Sequence, residues 1–247
     1  MLNRFSRTEL LLGEENMSKL AQSKIAIFGI GGVGSYVAEG LARCGIGEFI
    51  LIDSDDISLT NINRQIHALE TTIGQKKTLM MKERILAINP QAKVTTIEKL
   101  YTPENNFFNW DDNYTYIVDA VDDVKAKINL IVNANKHNLP IMSSMGTANK
   151  LDPQKFVITD IYKTHTCPLA RIMRKTLKQQ GIKKLKVLYS TEEPFTNYTV
   201  NFKENTSKDN SPASTRKQPL GSISFVPPIA GLMIAGEIVK DICQINR

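Results

Sequence analysis

The sequence predicts an α/β, Rossmann-like fold: a mostly parallel sheet with helices on both faces, extended by a C-terminal basic segment and a mobile crossover loop. Three observations carry this reading. Short apolar runs rich in β-branched residues alternate with stretches of helical periodicity. A glycine-rich turn joins the first such run to the first helical stretch. The chain has 247 residues, 42% of them hydrophobic, enough for one large core.

The elements follow in order. Lys24 to Phe28 is a fully apolar run after its first residue and reads as a buried strand. Gly29-Ile30-Gly31-Gly32-Val33-Gly34 follows, then a helix over Tyr36 to Cys44 that ends at Gly45. Glu48 to Asp53 is the second strand, so the unit is βαβ. A helix is expected over Gly74 to Ile88, stopped by Asn89-Pro90, with strands at Lys93 to Ile97 and Tyr116 to Ala120. Ala126 to Asn138 reads as a helix and Pro140 to Ser143 as a strand. Beyond residue 155, strands are expected near Phe156 to Ile161 and Leu185 to Tyr189, with a helix from Leu169 to Gln180. Residues 192 to 221 lose all periodicity and read as a long mobile loop. The expected organisation is a nucleotide-binding core over 1–165, a basic segment and loop over 166–221, and a strand and helix over 222–247 that return to the core.

Charge and cysteine content narrow the possibilities. The net charge is +6, but residues 1–150 hold 16 basic and 17 acidic side chains, while residues 151–247 hold 15 and 8. The excess lies entirely in the last part of the chain, which suits a polyanionic partner there. Three cysteines without a CxxC spacing exclude a disulfide framework and a paired-cysteine zinc site. The first residues lack the apolar run of a secretory leader, and the expectation is a cytoplasmic protein. The apolar stretch Ile223 to Cys243 contains Pro227, Pro228, Glu237, Lys240 and Asp241, so a buried helix is expected there and no stable membrane span.

The glycines at 29, 31 and 34 fit a turn that brings phosphates onto the N-terminus of a helix. Asp53, at the end of the second strand, is placed to accept from ribose hydroxyls. These features alone leave NAD, FAD and ATP open. The polar segment after Asp53 favours ATP. Asn61, Asn63 and Arg64 can hydrogen-bond phosphate oxygens where a hydride-transfer enzyme needs an apolar slot. Lys77 adds a cation at the start of the next helix. Asp119, Asp122 and Asp123 put carboxylates at a third strand end, and a carboxylate among phosphate-binding cations points to a Mg²⁺ bridge.

Together, Arg4-x-x-Arg7, Gly29-x-Gly31-Gly32-x-Gly34, Asp53-x-Asp55, Asn61-x-Asn63-Arg64-Gln65, Gly74-x-x-Lys77, Asn89-Pro90 and Asp119-x-x-Asp122 resemble the adenylating enzymes related to ubiquitin activation and to molybdopterin and thiamine biosynthesis. Within that superfamily the chain is most similar to the branch of tRNA threonylcarbamoyladenosine dehydratases. Gly29 to Ser35, Thr60 to Leu69, Val157 to Thr164, Pro168 to Arg171 and Gly221 to Pro227 carry this finer likeness. The resemblance implies that Gly29, Gly31, Gly32, Gly34, Asp53, Asp55, Asn61, Asn63 and Gln65 surround ATP. It implies that Arg64 and Lys77 hold the phosphates and that Asp122 holds Mg²⁺ at the reacting centre; a proton-accepting role for Asp122 stays open. Arg7 would reach the ATP of a neighbouring subunit, which implies a homodimer.

The implied reaction is ATP-dependent dehydration of threonylcarbamoyladenosine in a tRNA anticodon loop, through a carboxyl adenylate. The tRNA would be met by Arg171, Arg174, Lys175, Lys178, Lys183, Lys184 and Lys186, a stretch with no acidic residue. The alternative is an activator of a ubiquitin-like or sulfur-carrier protein. Such enzymes often carry paired zinc cysteines or a loop cysteine, and residues 192–221 contain no cysteine. A sulfur-transfer partner protein stays open. Cys167, next to His165, is the one candidate nucleophile, although adenylate chemistry does not require it.

Overall fold

The computed structural model describes residues 2–105, 107–195 and 220–245. Seven strands form one sheet: β1 (Lys24–Phe28), β2 (Glu48–Ile52), β3 (Lys93–Ile97), β4 (Tyr116–Asp119), β5 (Ile141–Ser144), β6 (Phe156–Asp160) and β7 (Lys186–Ser190). Their order is β3-β2-β1-β4-β5-β7-β6, and only β6 runs antiparallel. The α-helices are α1 (Ser6–Leu12), α2 (Glu14–Gln22), α3 (Gly34–Arg43), α4 (Lys77–Ile88), α5 (Val124–Lys136), α6 (Pro168–Gln179) and α7 (Val226–Ile242).

The two-residue strand period divides the core. Ile25, Ile27, Phe49 and Leu51 point to the face covered by α3, α4 and α7. Ala26, Phe28, Ile50 and Ile52 point to the opposite face, where Ala126 and Leu130 of α5 pack with Tyr101 and Phe108. Phe108 and Trp110 pack edge-on and stacked against Phe28, so the aromatic loop is an anchor. A third cluster joins α6 and β7 through Met173, Leu177, Val187 and Tyr189. Glu39 of α3 accepts from Arg84 of α4 at 2.7 and 3.1 Å and from Arg43 at 2.8 Å, which fixes α4 against α3.

The strand expected near Leu185 to Tyr189 is β7, which pairs with β5, so the basic segment supplies α6 and β7 to the same sheet. The strand expected at the start of 222–247 is corrected: among the described residues none lies between β7 and α7. Residues 220–225 are irregular or turn, and Pro227 and Pro228, which lack N–H donors, sit in the first turn of α7, where those donors have no partner anyway. The chain also begins with two helices that the periodicity does not announce. They break at Gly13, whose φ is 81°, and α1 buries no residue. The central part of the expected loop, residues 196–219, lies outside the described residues. Among the described residues no helix is long and apolar enough to cross a membrane.

Candidate active site

Parallel strands expose their carboxyl ends along one sheet edge, and ligands bind there in this architecture. The loops after β2, β1, β4 and β5 enclose a cavity of about 650 Å³ at that edge. Gly29, Gly31 and Gly32 line it. Gly34 does not line it but makes the turn possible: a Cβ there would lie 1.8 Å from the Gly29 carbonyl oxygen. Gly29 itself has φ 87°.

Asp53 holds the turn as well as facing the cavity. One carboxylate oxygen accepts from the Ile30 N–H at 2.6 Å and the other from the Asp55 N–H at 2.9 Å. Burial raises its pKa, against the opposing pull of Lys77 and those two N–H donors. Each oxygen keeps a lone pair for a ribose hydroxyl. Lys77, the first residue of α4, is only 6% exposed. Its ammonium lies 2.6 Å from Asp55 and 4.0 Å from Asp53. It is therefore a cation held at the cavity wall by two carboxylates.

The segment after β2 places the amides and the arginine. Arg64 donates through Nη1 to the Thr60 carbonyl and to Asn63 Oδ1, each at 2.9 Å. Asn63 does not line the cavity. It orients Arg64 and donates to the Ser222 carbonyl at 3.0 Å, tying the start of the C-terminal segment to the site. Asn61 lines the cavity, and its Oδ1 accepts from the Ser58 N–H at 3.1 Å. Gln65 also lines it; it is 5% exposed and its Oε1 has no partner.

Of the three aspartates after β4, each has a different job. Asp119 is fully buried and accepts from Lys127 Nζ at 3.0 Å and Ser143 Oγ at 2.5 Å. Asp123 caps α5 by accepting from the Ala126 N–H at 2.8 Å. Asp122 is exposed and lines the cavity. Asp123 lines the cavity as well, so of the three expected rim carboxylates Asp119 alone lies buried behind the rim. Sequence reading missed Lys127, which is 1% exposed and also donates to the Val121 carbonyl at 2.9 Å. Its signal was a lysine on the apolar face of α5, between Ala126 and Leu130.

Beneath the site, His67 is buried with neither ring nitrogen bonded. Burial first, then the charges of Lys77 and Arg84, lower its pKa to about 4. In the unfolded chain it titrates near 6.5. As pH falls from 6.5 to 4, the unfolded chain takes up a proton that the folded one refuses, so stability is lost over that interval. We expect a loss on the order of 3 kcal/mol between pH 7 and pH 4 from this group. Denaturant titrations of wild type and His67→Leu across that range check it: the variant should show a flatter slope.

The basic stretch divides. Arg171, Lys175 and Lys178 share one exposed face of α6, and Lys183 and Lys184 are exposed beyond its end. Arg174 turns inward and donates to the Thr164 carbonyl at 2.9 Å and its hydroxyl at 2.5 Å. Lys186 is the first residue of β7, and the strand turns it onto α7. There it pairs with Glu237 at 2.9 Å and Asp241 at 2.6 Å. Both are half-buried and engaged within the chain, unlike the five exposed cations. Arg7 lies exposed on α1 and does not line the cavity. Cys167 is the N-cap of α6: its Sγ accepts from the Ala170 N–H at 3.5 Å, and it is 4% exposed, packed with Met173 and Leu177. That is a packing and capping role. Among the described residues, no cluster of three or more His, Cys, Asp or Glu side chains could hold a metal.

The glycine turn, Asp53, Arg64, Lys77 and Asp122 thus meet in one cavity at the carboxyl edge of a mostly parallel sheet, the arrangement of a nucleotide-binding α/β protein. The chain belongs to the ThiF family, whose pattern matches residues 5–247. It is 43% identical over 245 residues to the tRNA threonylcarbamoyladenosine dehydratase of Bacillus subtilis, covering 99% of this chain and 96% of that one. The Escherichia coli protein of the same name is 42% identical over 175 residues, covering 71% of this chain and 65% of that one. Crystal structures of the E. coli tRNA N6-threonylcarbamoyladenosine dehydratase with AMP and with ATP superpose with TM-scores of 0.85 and 0.84, at 32% and 33% identity. Each covers 98% of this chain and 94% of the other.

Proposed function

We propose that this protein is an ATP-dependent tRNA threonylcarbamoyladenosine dehydratase of the cytoplasm. The observation that carries the reading is the cavity itself, where Arg64, Lys77 and Asp122 converge beside the glycine turn. Near full-length likeness to a dehydratase of that name supports the choice of substrate.

The threonyl carboxylate of the modified adenosine attacks the α-phosphorus of ATP. The bond to the β-phosphate oxygen breaks, and pyrophosphate leaves with that electron pair. The carbamoyl group then attacks the acyl carbon of the adenylate and loses a proton. The acyl–oxygen bond breaks and AMP departs. The nucleoside has lost the elements of one water. Bringing a carboxylate to a triphosphate is electrostatically costly, and Arg64 and Lys77 are fixed in advance to offset it. Because ring closure is intramolecular, positioning supplies much of the acceleration and no nucleophilic side chain is needed. This agrees with the buried, capping Cys167.

A Mg²⁺ ion fits Asp122. This ion characteristically takes one or two carboxylates and fills its remaining positions with phosphate oxygens and water. When bound, it would supply charge neutralisation on the phosphates. We assign the homodimer and the reach of Arg7 into a neighbour's site to the same reading. Leu10 and Leu11 stand exposed on α1 beside Arg7, which suits a covered surface.

AMP release measured with MgATP and either tRNA bearing threonylcarbamoyladenosine or a Gly-Gly-tailed carrier protein tests the reading. The tRNA should stimulate release and the carrier should not; the reverse pattern would overturn it. The exposed face of α6 carries a further expectation. Arg171→Ala, Lys175→Ala and Lys178→Ala combined should weaken tRNA binding and leave ATP affinity unchanged. The slope of log K against log salt should flatten by roughly 0.7–0.9 for each phosphate that is no longer neutralised. Binding titrations at several salt concentrations measure it.

A further inference from the structure

The cavity has two walls of different chemistry. Along the sheet edge the order β2, β1, β4, β5 sets out Asp53 and Asp55, the glycine turn, Asp122 and then the turn after β5. The ionic and amide groups facing phosphates, Arg64, Gln65 and Lys77, belong to the β2–β1 side. An adenine has apolar wall there too, from Ile52, Leu100 and Tyr101 beside Asp53. On the far side of Asp122 the lining changes to Met145, Gly146, Thr147, Ala148 and Leu169, none of them charged. ATP leaves this second wall without a task.

The second wall is built firmly. The Met145 N–H donates to the Leu188 carbonyl at 2.8 Å. Asn149 is gripped from two directions: its carbonyl accepts from the Phe195 N–H at 2.8 Å, and its Oδ1 accepts from the Gly221 N–H at 2.7 Å. The Glu192 carboxylate accepts from the N–H groups of Leu151 and Asp152 at 2.9 and 3.0 Å. Within this frame Gly146 faces open space, because a Cβ built on it would have no heavy atom within 4 Å. Two residues beyond Leu169, Arg171 begins the exposed basic face of α6. An uncharged slot of small residues therefore opens next to a line of cations. A single modified base carried on an RNA strand has that combination: a flat purine in the slot, its threonyl carboxylate turned back past Asp122 toward the nucleotide side of the cavity, and phosphates outside.

We propose that the slot formed by Met145–Ala148 and Leu169 is the subsite that takes the modified base of the RNA substrate, with Gly146 setting its width. This rests on the dehydratase reading above. Gly146 does not have a left-handed backbone, so a larger side chain there grows into the cavity without straining the chain.

Gly146→Ala and Gly146→Val test it, with AMP release on tRNA bearing threonylcarbamoyladenosine and ATP affinity by calorimetry. ATP affinity should stay within about twofold in both, which also reports an intact fold. The value of kcat/KM for the tRNA should fall stepwise, about fivefold for Ala and at least about 50-fold for Val, as expected when access to a fitted site is blocked. Wild-type activity on this tRNA with unaltered kinetics in both variants overturns the subsite alone. Absence of tRNA-dependent AMP release in the wild type overturns the dehydratase reading, and the subsite with it.

Discussion

Replacing Lys77 with alanine should lower tRNA-dependent AMP release by about 100- to 1,000-fold, the range for removing one preorganised charge from a water-poor site. Lys77 is nearly buried, and its ammonium sits 2.6 Å from Asp55 and 4.0 Å from Asp53. Its removal therefore acts twice. It deletes a cation that would face the phosphates, and it uncovers two carboxylates that repel them. The two effects separate experimentally. Adding Asp55→Ala to Lys77→Ala should restore part of the ATP affinity, because one repelling charge is gone, but not the rate. Calorimetry with ATP beside a steady-state AMP assay measures both. The same variant tests subunit sharing. Arg7→Ala subunits mixed with Lys77→Ala subunits should recover activity if Arg7 acts across a dimer, and none if it acts within its own chain.

The second large effect falls on stability. Lys127 and Asp119 form an ion pair that water does not reach. Lys127→Met leaves Asp119 buried with only Ser143 Oγ and the Val121 N–H as donors. Breaking one side of such a pair costs about 3–5 kcal/mol. For a chain of this size that corresponds to a fall in Tm of roughly 6–20 °C. Lys127 also holds the Val121 carbonyl, so the turn that presents Asp122 should loosen at the same time. Asp119→Asn in the Lys127→Met background should recover part of the Tm by removing the stranded charge. Thermal unfolding of the three proteins checks the order.

The elements that are legible in the sequence are those whose burial is periodic. β1, α3 and β2 stand out because Lys24–Phe28 and Glu48–Ile52 become fully buried after their first residues, and because Gly34 cannot bear a side chain. The cavity residues on the loops after β1 and β2 are legible because their spacing is local. What escapes depends on contacts distant in sequence or on elements with little burial. Helix α1 buries nothing, so no apolar stripe marks it. Lys186 closes a run of lysines in the sequence, yet β7 begins there and turns it toward Glu237 and Asp241, more than fifty residues away. Those two acids lie four apart on α7 and present one paired face, a feature visible only once the helix is docked. Asn63 illustrates an intermediate case. Its motif places it among the residues around the nucleotide, while its bonds to Arg64 and to the distant Ser222 carbonyl emerge only in the fold.

The fate of the nucleoside distinguishes dehydration from every other use of an adenylate. Purified protein is incubated with MgATP and tRNA bearing threonylcarbamoyladenosine, and the tRNA is digested under mild conditions and its nucleosides weighed by mass spectrometry. The threonylcarbamoyladenosine signal should be replaced by one lighter by one water, with one AMP formed for each nucleoside converted. AMP formed while the nucleoside mass stays unchanged would contradict the dehydratase assignment.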